Sequence, residues 1–186
     1  MSRDARREDT APLTVDVVES PALSPRGLAE LHALCNLAYD ETLEQYFVDI
    51  GPGLHWIGRV AGRAVAHTML VTRWLQQGSG APMRTAFVEL VATHPAHQGR
   101  GYASALMRAM RPQIEPFEIG ALTPTVPEFY ARLGWEHWHG PLGVRVGDGI
   151  EPSPGEILMF LRTPHTPSWV DPQAPLSIEW RPGEVW

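Results

Sequence analysis

The chain has 186 residues, a net charge of −6 and a single cysteine, Cys35; 44% of its residues are hydrophobic. These values indicate a globular protein. The acidic balance argues against nucleic acid as the main partner and suits a cationic one. A run of eighteen apolar residues does not occur, which argues against a membrane partner, and a lone cysteine suits a reducing cytoplasm. The length predicts one domain over residues 11–186, preceded by a charged, disordered leader over residues 1–10.

The first half of the chain predicts a strand, two helices and three further strands. Ser24 followed by Pro25 is typical of a helix start, and apolar residues then recur at helical spacing to about Tyr39. Ala61-Gly62-Arg63 predicts a tight turn between two strands. The predicted strands are 13–18, 54–60, 64–74 and 84–93, and a short second helix is predicted within 40–47.

The second half predicts two more helices and four strands. The helices are 103–110 and 126–133, the latter ended by Gly134. The strands are 117–122 and 135–139, a hairpin of 142–146 with 157–161, and a closing strand at 176–180. This order predicts an α/β fold in one domain, with a mixed, mostly antiparallel sheet flanked by about four helices.

Residues 88–103 form the most informative segment. Val88 to Ala92 predict a buried strand that contains one carboxylate, Glu89. After a turn at Pro95, Gln98-Gly99-Arg100-Gly101-Tyr102-Ala103 opens a helix. The glycines let the backbone approach a ligand closely, and the first N–H groups of a helix have no partner within it. The segment therefore predicts a phosphate-binding turn.

This strand, turn and helix resemble the acyl-CoA-binding motif of the GNAT N-acetyltransferase superfamily, and the predicted element order agrees with that fold. The resemblance implies acetyl-CoA as co-substrate, with its pyrophosphate at the helix N-terminus and its pantetheine arm along the strand. It implies the cofactor-binding residues Leu90, Val91, Ala92, Gln98, Gly99, Arg100, Gly101, Tyr102 and Ala103.

Three further segments narrow the resemblance. Phe129 to Trp135 is similar to a GNAT segment whose tyrosine, here Tyr130, lies near the acetyl-CoA sulfur. Trp138-His139-Gly140-Pro141 and the terminal Trp180-Arg181-Pro182-Gly183-Glu184-Val185-Trp186 resemble the aminoglycoside 2′-N-acetyltransferases. In those enzymes the terminal carboxylate and the acidic residue two positions earlier bind the antibiotic.

Three segments depart from that subfamily. Relative to the subfamily, one carboxylate is displaced in the segment Tyr39-Asp40-Glu41-Thr42-Leu43, and the residues from Gly51 to His55 differ. The segment from Thr123 to Glu128 is shorter and contains two prolines. These positions lie on the acceptor side, so they bear on substrate scope. A branch of the family acts on kasugamycin, which has fewer amines, and a rearranged acidic lining would suit it.

Two side chains are the candidate catalytic residues. Glu89 would act as the general base for the amine, since burial in an apolar strand raises the pKa of a carboxyl group. Its alternative is a solvent-facing position on an edge strand. Tyr130 would act as the general acid for the thiolate, or else is a packing residue. The backbone N–H of Leu90 or Val91 would polarise the thioester oxygen.

The candidate acceptor-binding groups are acidic or aromatic. A polyamine would gain charge-assisted hydrogen bonds from several carboxylates, although surface charge is the alternative. The set comprises Asp40, Glu41, Glu179, Glu184, Trp138 and Trp186 with its terminal carboxylate. Trp138 and Trp186 would stack on sugar rings or fill the core, and Trp180 is assigned to the core. The histidine pairs lack a third ligand, so no metal site is predicted.

The sequence thus predicts a cytoplasmic, acetyl-CoA-dependent N-acetyltransferase that modifies the 2′-amine of an aminoglycoside-type antibiotic, kasugamycin included, and confers resistance. Its partner would be that small cationic molecule, and a homodimer is left open. Two alternatives stay open: acetylation of another small amine, and a non-catalytic sensor that binds acyl-CoA.

Overall fold

The computed structural model describes residues 11–186, and the predicted leader over residues 1–10 lies outside the described residues. The helices are α1 (Pro25–Tyr39), α2 (Glu44–Asp49), α3 (Tyr102–Ile114) and α4 (Pro127–Ala131), and short 3-10 turns lie at Ser20–Ala22 and Pro95–His97. The strands are β1 (Thr14–Glu19), β2 (Leu54–Val60), β3 (Arg63–Gln77), β4 (Met83–Thr93), β5 (Ile119–Leu122), β6 (Glu136–His137), β7 (Leu142–Val146), β8 (Gly149–Pro152), β9 (Met159–Arg162) and β10 (Leu176–Glu179).

The start and end of α1 follow from its sequence. The Ser24 hydroxyl accepts a hydrogen bond from the Gly27 N–H, and Pro25 occupies the first helical position. A side-chain oxygen there satisfies one of the N–H groups that a helix start leaves unpaired. The helix ends at Asp40, whose φ of +57° is left-handed, a conformation that aspartate tolerates better than most residues. The predicted bounds of this helix are confirmed.

The described chain forms two compact units, and the first comprises residues 11–48, 52–69 and 89–110. In this unit β1 pairs antiparallel with β2, from Thr14 opposite Arg59 to Glu19 opposite Leu54. Ala61 and Gly62, with φ of +49° and +80°, form the predicted tight turn into β3. The core of this unit contains Leu31, Trp56, Ile57, Ala66, Met69 and Leu106.

The second unit comprises residues 49–51, 70–88 and 111–186. Its strands follow the order β6-β9-β5-β4-β3-β10-β7-β8, in which the β4–β5 and β10–β7 pairs are parallel. Its core contains Leu75, Met83, Phe87, Ile119, Phe160 and Ile178. The mixed, mostly antiparallel sheet and the four helices of the described residues confirm the predicted α/β fold class.

Two predictions for the C-terminal half are wrong. Residues 142–146 pair not with 157–161 but with β8, because Gly147, with φ of +56°, and Asp148 already form a two-residue turn. Strand β9 pairs instead with β5 and β6, where Met159 to Leu161 are all buried.

Trp180, assigned to the core, is 58% exposed. Strand β10 ends at Glu179, so the alternation that buries Ile178 no longer directs the next side chains. Strand β10 also lies inside the sheet, between β3 and β7. Among the described residues, no helix is long and apolar enough to cross a membrane.

Candidate active site

Strand β4 departs from regular geometry at its candidate catalytic position. Leu90 has a φ of +53°, a left-handed conformation that is uncommon for a residue with a side chain. Glu89, Leu90 and Ala92 are buried and Val91 is half-buried. A left-handed residue inside a strand turns its peptide groups away from the regular ladder, as in a β-bulge. The carbonyl groups on either side of Leu90 accept from side chains, that of Glu89 from the Thr68 hydroxyl and that of Val91 from the Tyr39 hydroxyl.

Glu89 is 4% exposed, and its carboxylate accepts a 2.7 Å hydrogen bond from the Tyr46 hydroxyl. Its backbone carbonyl accepts a 3.3 Å hydrogen bond from the Thr68 hydroxyl. At this exposure the Glu89 side chain does not face solvent. The predicted burial of this carboxylate is confirmed.

The turn before α3 presents backbone rather than side chains. Gly99 and Gly101 have φ of +75° and +80° and are exposed. The Gln98 side chain donates to the Thr93 carbonyl at 3.3 Å, and the Ala105 N–H donates to the Gly101 carbonyl at 3.0 Å. The first N–H groups of α3 therefore begin in an exposed glycine turn, a geometry that suits a phosphate.

Asp40 and Glu41 lie on the exposed loop that follows α1. Their backbone N–H groups both donate to the Asn36 carbonyl. The preceding residue, Tyr39, donates its hydroxyl to the Val91 carbonyl at 3.3 Å. The structure therefore brings the end of α1 to strand β4, while both carboxylates stay on the surface.

A chain of polar side chains runs from the half-buried Ser20 into the core of the first unit. The Ser20 hydroxyl lies 2.8 Å from His55 Nε2, and His55 Nδ1 lies 2.9 Å from His67 Nε2. Burial lowers the pKa of His55 to about 4; burial, with His55 nearby, lowers that of His67 to about 3. Both rings are therefore neutral at physiological pH.

Cys35 packs against this chain, with its Sγ 3.5 Å from His67 Nδ1. Burial raises the pKa of the Cys35 thiol to about 12. A thiol with so high a pKa is a poor nucleophile. Cys35 is therefore a buried packing residue rather than a nucleophile.

Tyr130, in the second unit, is buried at the end of α4. Its ring meets Phe129 and Trp135 edge-on, with centroids 4.8 and 6.4 Å away. Burial raises the pKa of the Tyr130 phenol to about 12. The phenol therefore stays protonated, as a hydrogen-bond donor must.

The Trp138-His139-Gly140-Pro141 segment holds the loop that leads into β10. The Trp138 indole donates to the Ala174 carbonyl at 2.9 Å, and its ring packs edge-on against Phe160. A side chain at Gly140 would overlap the Ala174 carbonyl. These contacts favour the core alternative for Trp138 over sugar stacking.

The end of the chain is held by arginines. Glu179 accepts hydrogen bonds from Arg73 Nε at 2.7 Å and from the Trp74 N–H at 2.9 Å. Arg181 Nε donates to the Glu184 carbonyl, while the Glu184 side chain is exposed. These contacts give Glu179 a structural role, and its contact with a substrate amine stays a prediction.

The last residue and the turn before it are also held. Trp186 is buried, and its indole donates to the Ser153 hydroxyl at 2.9 Å. Gly183 has a φ of +69°, and the Asp49 carboxylate lies where a side chain at this position would begin. The positive φ and this close approach both favour glycine in this turn.

Sequence reasoning missed Tyr39, Tyr46 and Arg73. The two tyrosines belong to no recognisable spacing, and their partners lie far away in sequence. Arg73 carried the same signal as Glu89, a single charge inside an apolar strand, and could have been found by it. Among residues 11–186, no group of three or more metal-ligating side chains is placed to hold an ion.

Comparison with known proteins gives a consistent result. A family model described as an acetyltransferase (GNAT) domain matches residues 31–138. The aminoglycoside 2′-N-acetyltransferase of Mycolicibacterium fortuitum is 30% identical over 140 residues, which cover 72% of this chain and 71% of that protein.

Solved structures agree at the level of the fold. The GNAT family N-acetyltransferase YhbS from Escherichia coli, in complex with CoA, has a TM-score of 0.65 at 14% identity. The match covers 92% of this chain and 91% of the YhbS chain. A GCN5-related N-acetyltransferase from Kribbella flavida has a TM-score of 0.57 at 20% identity over 72% of this chain, which spans 35% of that longer protein. The matched model and the curated relative together show that this chain belongs to the GNAT family of acetyl-CoA-dependent acetyltransferases.

Proposed function

We propose that the protein transfers an acetyl group from acetyl-CoA to the 2′-amine of an aminoglycoside-type antibiotic and so confers resistance. The similarity to the Mycolicibacterium fortuitum enzyme carries this proposal, since it extends over 72% of the chain. The Trp-Arg-Pro-Gly-Glu-Val-Trp segment supports it, because it presents the exposed carboxylate of Glu184. A polyamine is the complementary ligand for such a charge.

Acetyl transfer to a protonated amine requires a base. We assign this role to Glu89, whose carboxylate is buried and fixed by the Tyr46 hydroxyl. Acting directly or through a water molecule, it would take the proton of the amine before the nitrogen attacks the thioester carbonyl. The peptide groups beside Leu90, turned by its positive φ, support the assignment of the Leu90 or Val91 N–H to the thioester oxygen.

The donor would bind along the same unit. We assign the pyrophosphate of acetyl-CoA to the Gln98–Ala103 turn, where two glycines of positive φ and a helix start present backbone N–H groups. The pantetheine arm would follow the main chain of Leu90, Val91 and Ala92. The sequence contains no lysine, so the backbone N–H groups of this turn and the Arg100 side chain are the candidate phosphate ligands.

We assign the leaving thiolate to Tyr130. With a pKa of about 12, the phenol is a weaker acid than a thiol, whose pKa is about 8.5. A hydrogen bond from the phenol would stabilise the thiolate, whereas full transfer of the proton would be uphill. Tyr130 would therefore contribute mainly as a hydrogen-bond donor to sulfur.

Acceptor binding is assigned to Glu184 and the Trp186 carboxylate, with Asp40 and Glu41 as further exposed carboxylates. Asp40 and Glu41 stand where the subfamily has a different acidic segment, so the accepted drugs are expected to differ as well. Kasugamycin, which has fewer amines, belongs in the set of acceptors to be tested.

Thiol release from acetyl-CoA, measured over a panel of aminoglycosides, kasugamycin and simple primary amines, tests the proposal. We expect turnover with at least one antibiotic, and expression of the protein should raise the minimal inhibitory concentration of that drug. Turnover with simple amines alone would support another small-molecule acceptor. Acetyl-CoA binding without turnover of any amine would support a sensor.

A tag at either end of the chain tests the role of the terminal carboxylate. A C-terminal tag converts that carboxylate into an amide, so the acceptor KM should rise about tenfold or more while the acetyl-CoA KM stays within twofold. An N-terminal tag is the matched control and should leave both values unchanged. Equal kinetics for the two tagged proteins would contradict an acceptor site at Trp186.

A further inference from the structure

Thr68 carries a buried hydroxyl that the acetyl-transfer chemistry does not use. The residue lies in β3 and is fully buried, and its hydroxyl donates to the Glu89 carbonyl at 3.3 Å. A hydroxyl that is removed from water is expected to find its acceptor within the protein. A side chain of β3 therefore holds the main chain of β4 directly beside the candidate base.

The Glu89 carbonyl belongs to the peptide unit that joins Glu89 to Leu90. This unit is planar and trans, so the Leu90 N–H points in the direction opposite to the Glu89 carbonyl. Rotation of the unit about the N–Cα bond of Leu90 is the φ angle of that residue, which is +53°. The hydrogen bond from Thr68 therefore acts on the rotation that gives Leu90 its left-handed conformation, and it sets the direction of the Leu90 N–H.

The conformation of Leu90 needs such a contact. A left-handed φ is uncommon for a residue with a side chain, and it persists only where the surrounding structure holds it. Thr68, Glu89 and Leu90 are all buried, so bulk water is a poor substitute for the hydroxyl. The main chain after Leu90 is anchored separately, because the Val91 carbonyl accepts from the Tyr39 hydroxyl at 3.3 Å. Without the Thr68 hydroxyl, the peptide unit before Leu90 would be free to turn, and the Leu90 N–H would turn with it.

We propose that Thr68 is a positioning residue, which holds the Leu90 N–H in the direction that lets it donate to the thioester oxygen of acetyl-CoA. Of the two N–H groups assigned to that oxygen, the Leu90 N–H is then the donor, since Thr68 acts on its peptide unit. The assignment of an N–H of this strand to the thioester rests on the proposed function, whereas the hold on the peptide unit does not. An N–H that is fixed before the substrate binds polarises the carbonyl without having to reorient during the reaction.

The infrared stretch of the thioester carbonyl tests this role, with acetyl-CoA that carries carbon-13 at the acetyl carbonyl as the probe. A hydrogen bond to the oxygen lowers the frequency of this stretch, so it should be lower in the wild-type complex than in free acetyl-CoA. Thr68→Val keeps the shape of the side chain without the hydroxyl, and it should move the frequency at least halfway back to the free value. Thr68→Ala, a second variant without the hydroxyl, should agree with it. Thr68→Ser keeps the hydroxyl and should retain the wild-type frequency.

Thr85→Val is the matched control. Thr85 is also fully buried, in β4, and its hydroxyl also donates to a main-chain carbonyl, that of Met83 at 3.0 Å. Its loss should lower the free energy of unfolding as the loss of the Thr68 hydroxyl does, but it does not act on the peptide unit of Leu90. The thioester frequency in Thr85→Val should therefore equal the wild-type value.

Kinetics and CoA binding separate this role from a purely structural one. Thr68→Val should lower kcat about tenfold or more, measured with whichever amine of the panel is acetylated, and Thr68→Ser should restore it. The Kd for CoA by calorimetry should stay within about twofold, because CoA has no thioester carbonyl for the N–H to bind.

Wild-type frequency and wild-type kcat in both Thr68→Val and Thr68→Ala would overturn the proposal. A wild-type complex with the frequency of free acetyl-CoA would overturn it together with the assignment of any N–H to the thioester oxygen. If no aminoglycoside is acetylated, the proposed function fails, and the infrared result, which needs no acceptor, still decides the role of Thr68.

Discussion

The two compact units hold their candidate residues by different kinds of hydrogen bond. In the first, the donors are neutral side chains: the Tyr46 hydroxyl donates to Glu89, the Tyr39 hydroxyl donates to the Val91 carbonyl, and His55 and His67 share a hydrogen bond. In the second, guanidinium groups bind carbonyls and a carboxylate, as Arg73 does with Glu179 and Val185. The first unit should therefore respond to protonation of its buried rings, and the second to loss of single arginines.

The expected energy of each contact depends on whether a charged group takes part. A hydrogen bond between neutral groups contributes about 1 kcal/mol net, and one to a charged group about 1.5–3 kcal/mol. Removing one partner of a buried charged pair costs more, because the other charge is left behind. Substitutions of one group at a time in each unit test this difference.

The largest expected effect is acid destabilisation of the first unit. The folded pKa values of His55 and His67, about 4 and 3, lie below the unfolded value of about 6.5. Their contribution is therefore complete above pH 6.5, and stability falls below it as the unfolded chain takes up protons that the folded one does not. At pH 5 the loss is about 2 kcal/mol for each ring, about 4 kcal/mol together.

Urea unfolding at pH 7.5 and pH 5.0 measures this loss. His67→Phe removes one ring, so it should reduce the pH-dependent part by about 2 kcal/mol, even though the variant is less stable at pH 7.5. Met69→Leu, a change in the core of the same unit that removes no titratable group, is the control and should leave the pH dependence unaltered. A His67→Phe protein with the full wild-type loss would show that His67 is not the group that takes up the proton.

Glu89→Gln should have the next largest effect. The amide keeps the size of the side chain and can still pair with the Tyr46 hydroxyl, so acetyl-CoA affinity should be retained. Turnover should fall about a hundredfold, because glutamine takes no proton from the amine. Tyr46→Phe, which leaves the carboxylate in place, should lose less. Full turnover in Glu89→Gln would mean that the amine loses its proton to solvent.

The sequence predicts contacts between groups that lie close together in the chain, and it does not predict contacts between groups that lie far apart in it. The acetyl-CoA motif lies within residues 88–103 and acts through backbone, so its glycines and the strand before it are visible as a local pattern. The bond between Arg73 and Val185 joins residues 112 positions apart. Its geometry depends on β10 lying between β3 and β7, which periodicity does not reveal.

The errors in the C-terminal half have the same origin. The apolar run at Met159 to Leu161 was visible as a strand, but its partners β5 and β6 are set by burial on both faces. The exposure of Trp180 depends on where β10 ends, and a tryptophan after an apolar strand gives no sign of that. The terminal motif itself was recognised only by resemblance, and its arginine contacts became visible with the fold.

The smallest expected effect, about tenfold, is on acetyl-CoA binding. Gly101→Asp would place a negative charge beside the site assigned to the pyrophosphate, which should weaken binding by about tenfold or more, about 1.4 kcal/mol. Because Gly101 has a φ of +80°, any side chain there also strains the backbone. Gly62→Asp is a matched control, since Gly62 lies in the same unit, has the same φ of +80° and also has open space around it. The two variants should lose similar folding stability, and only Gly101→Asp should lose acetyl-CoA affinity by calorimetry. Equal affinity in both would remove the glycine turn as the phosphate site and leave the first unit without its assigned ligand.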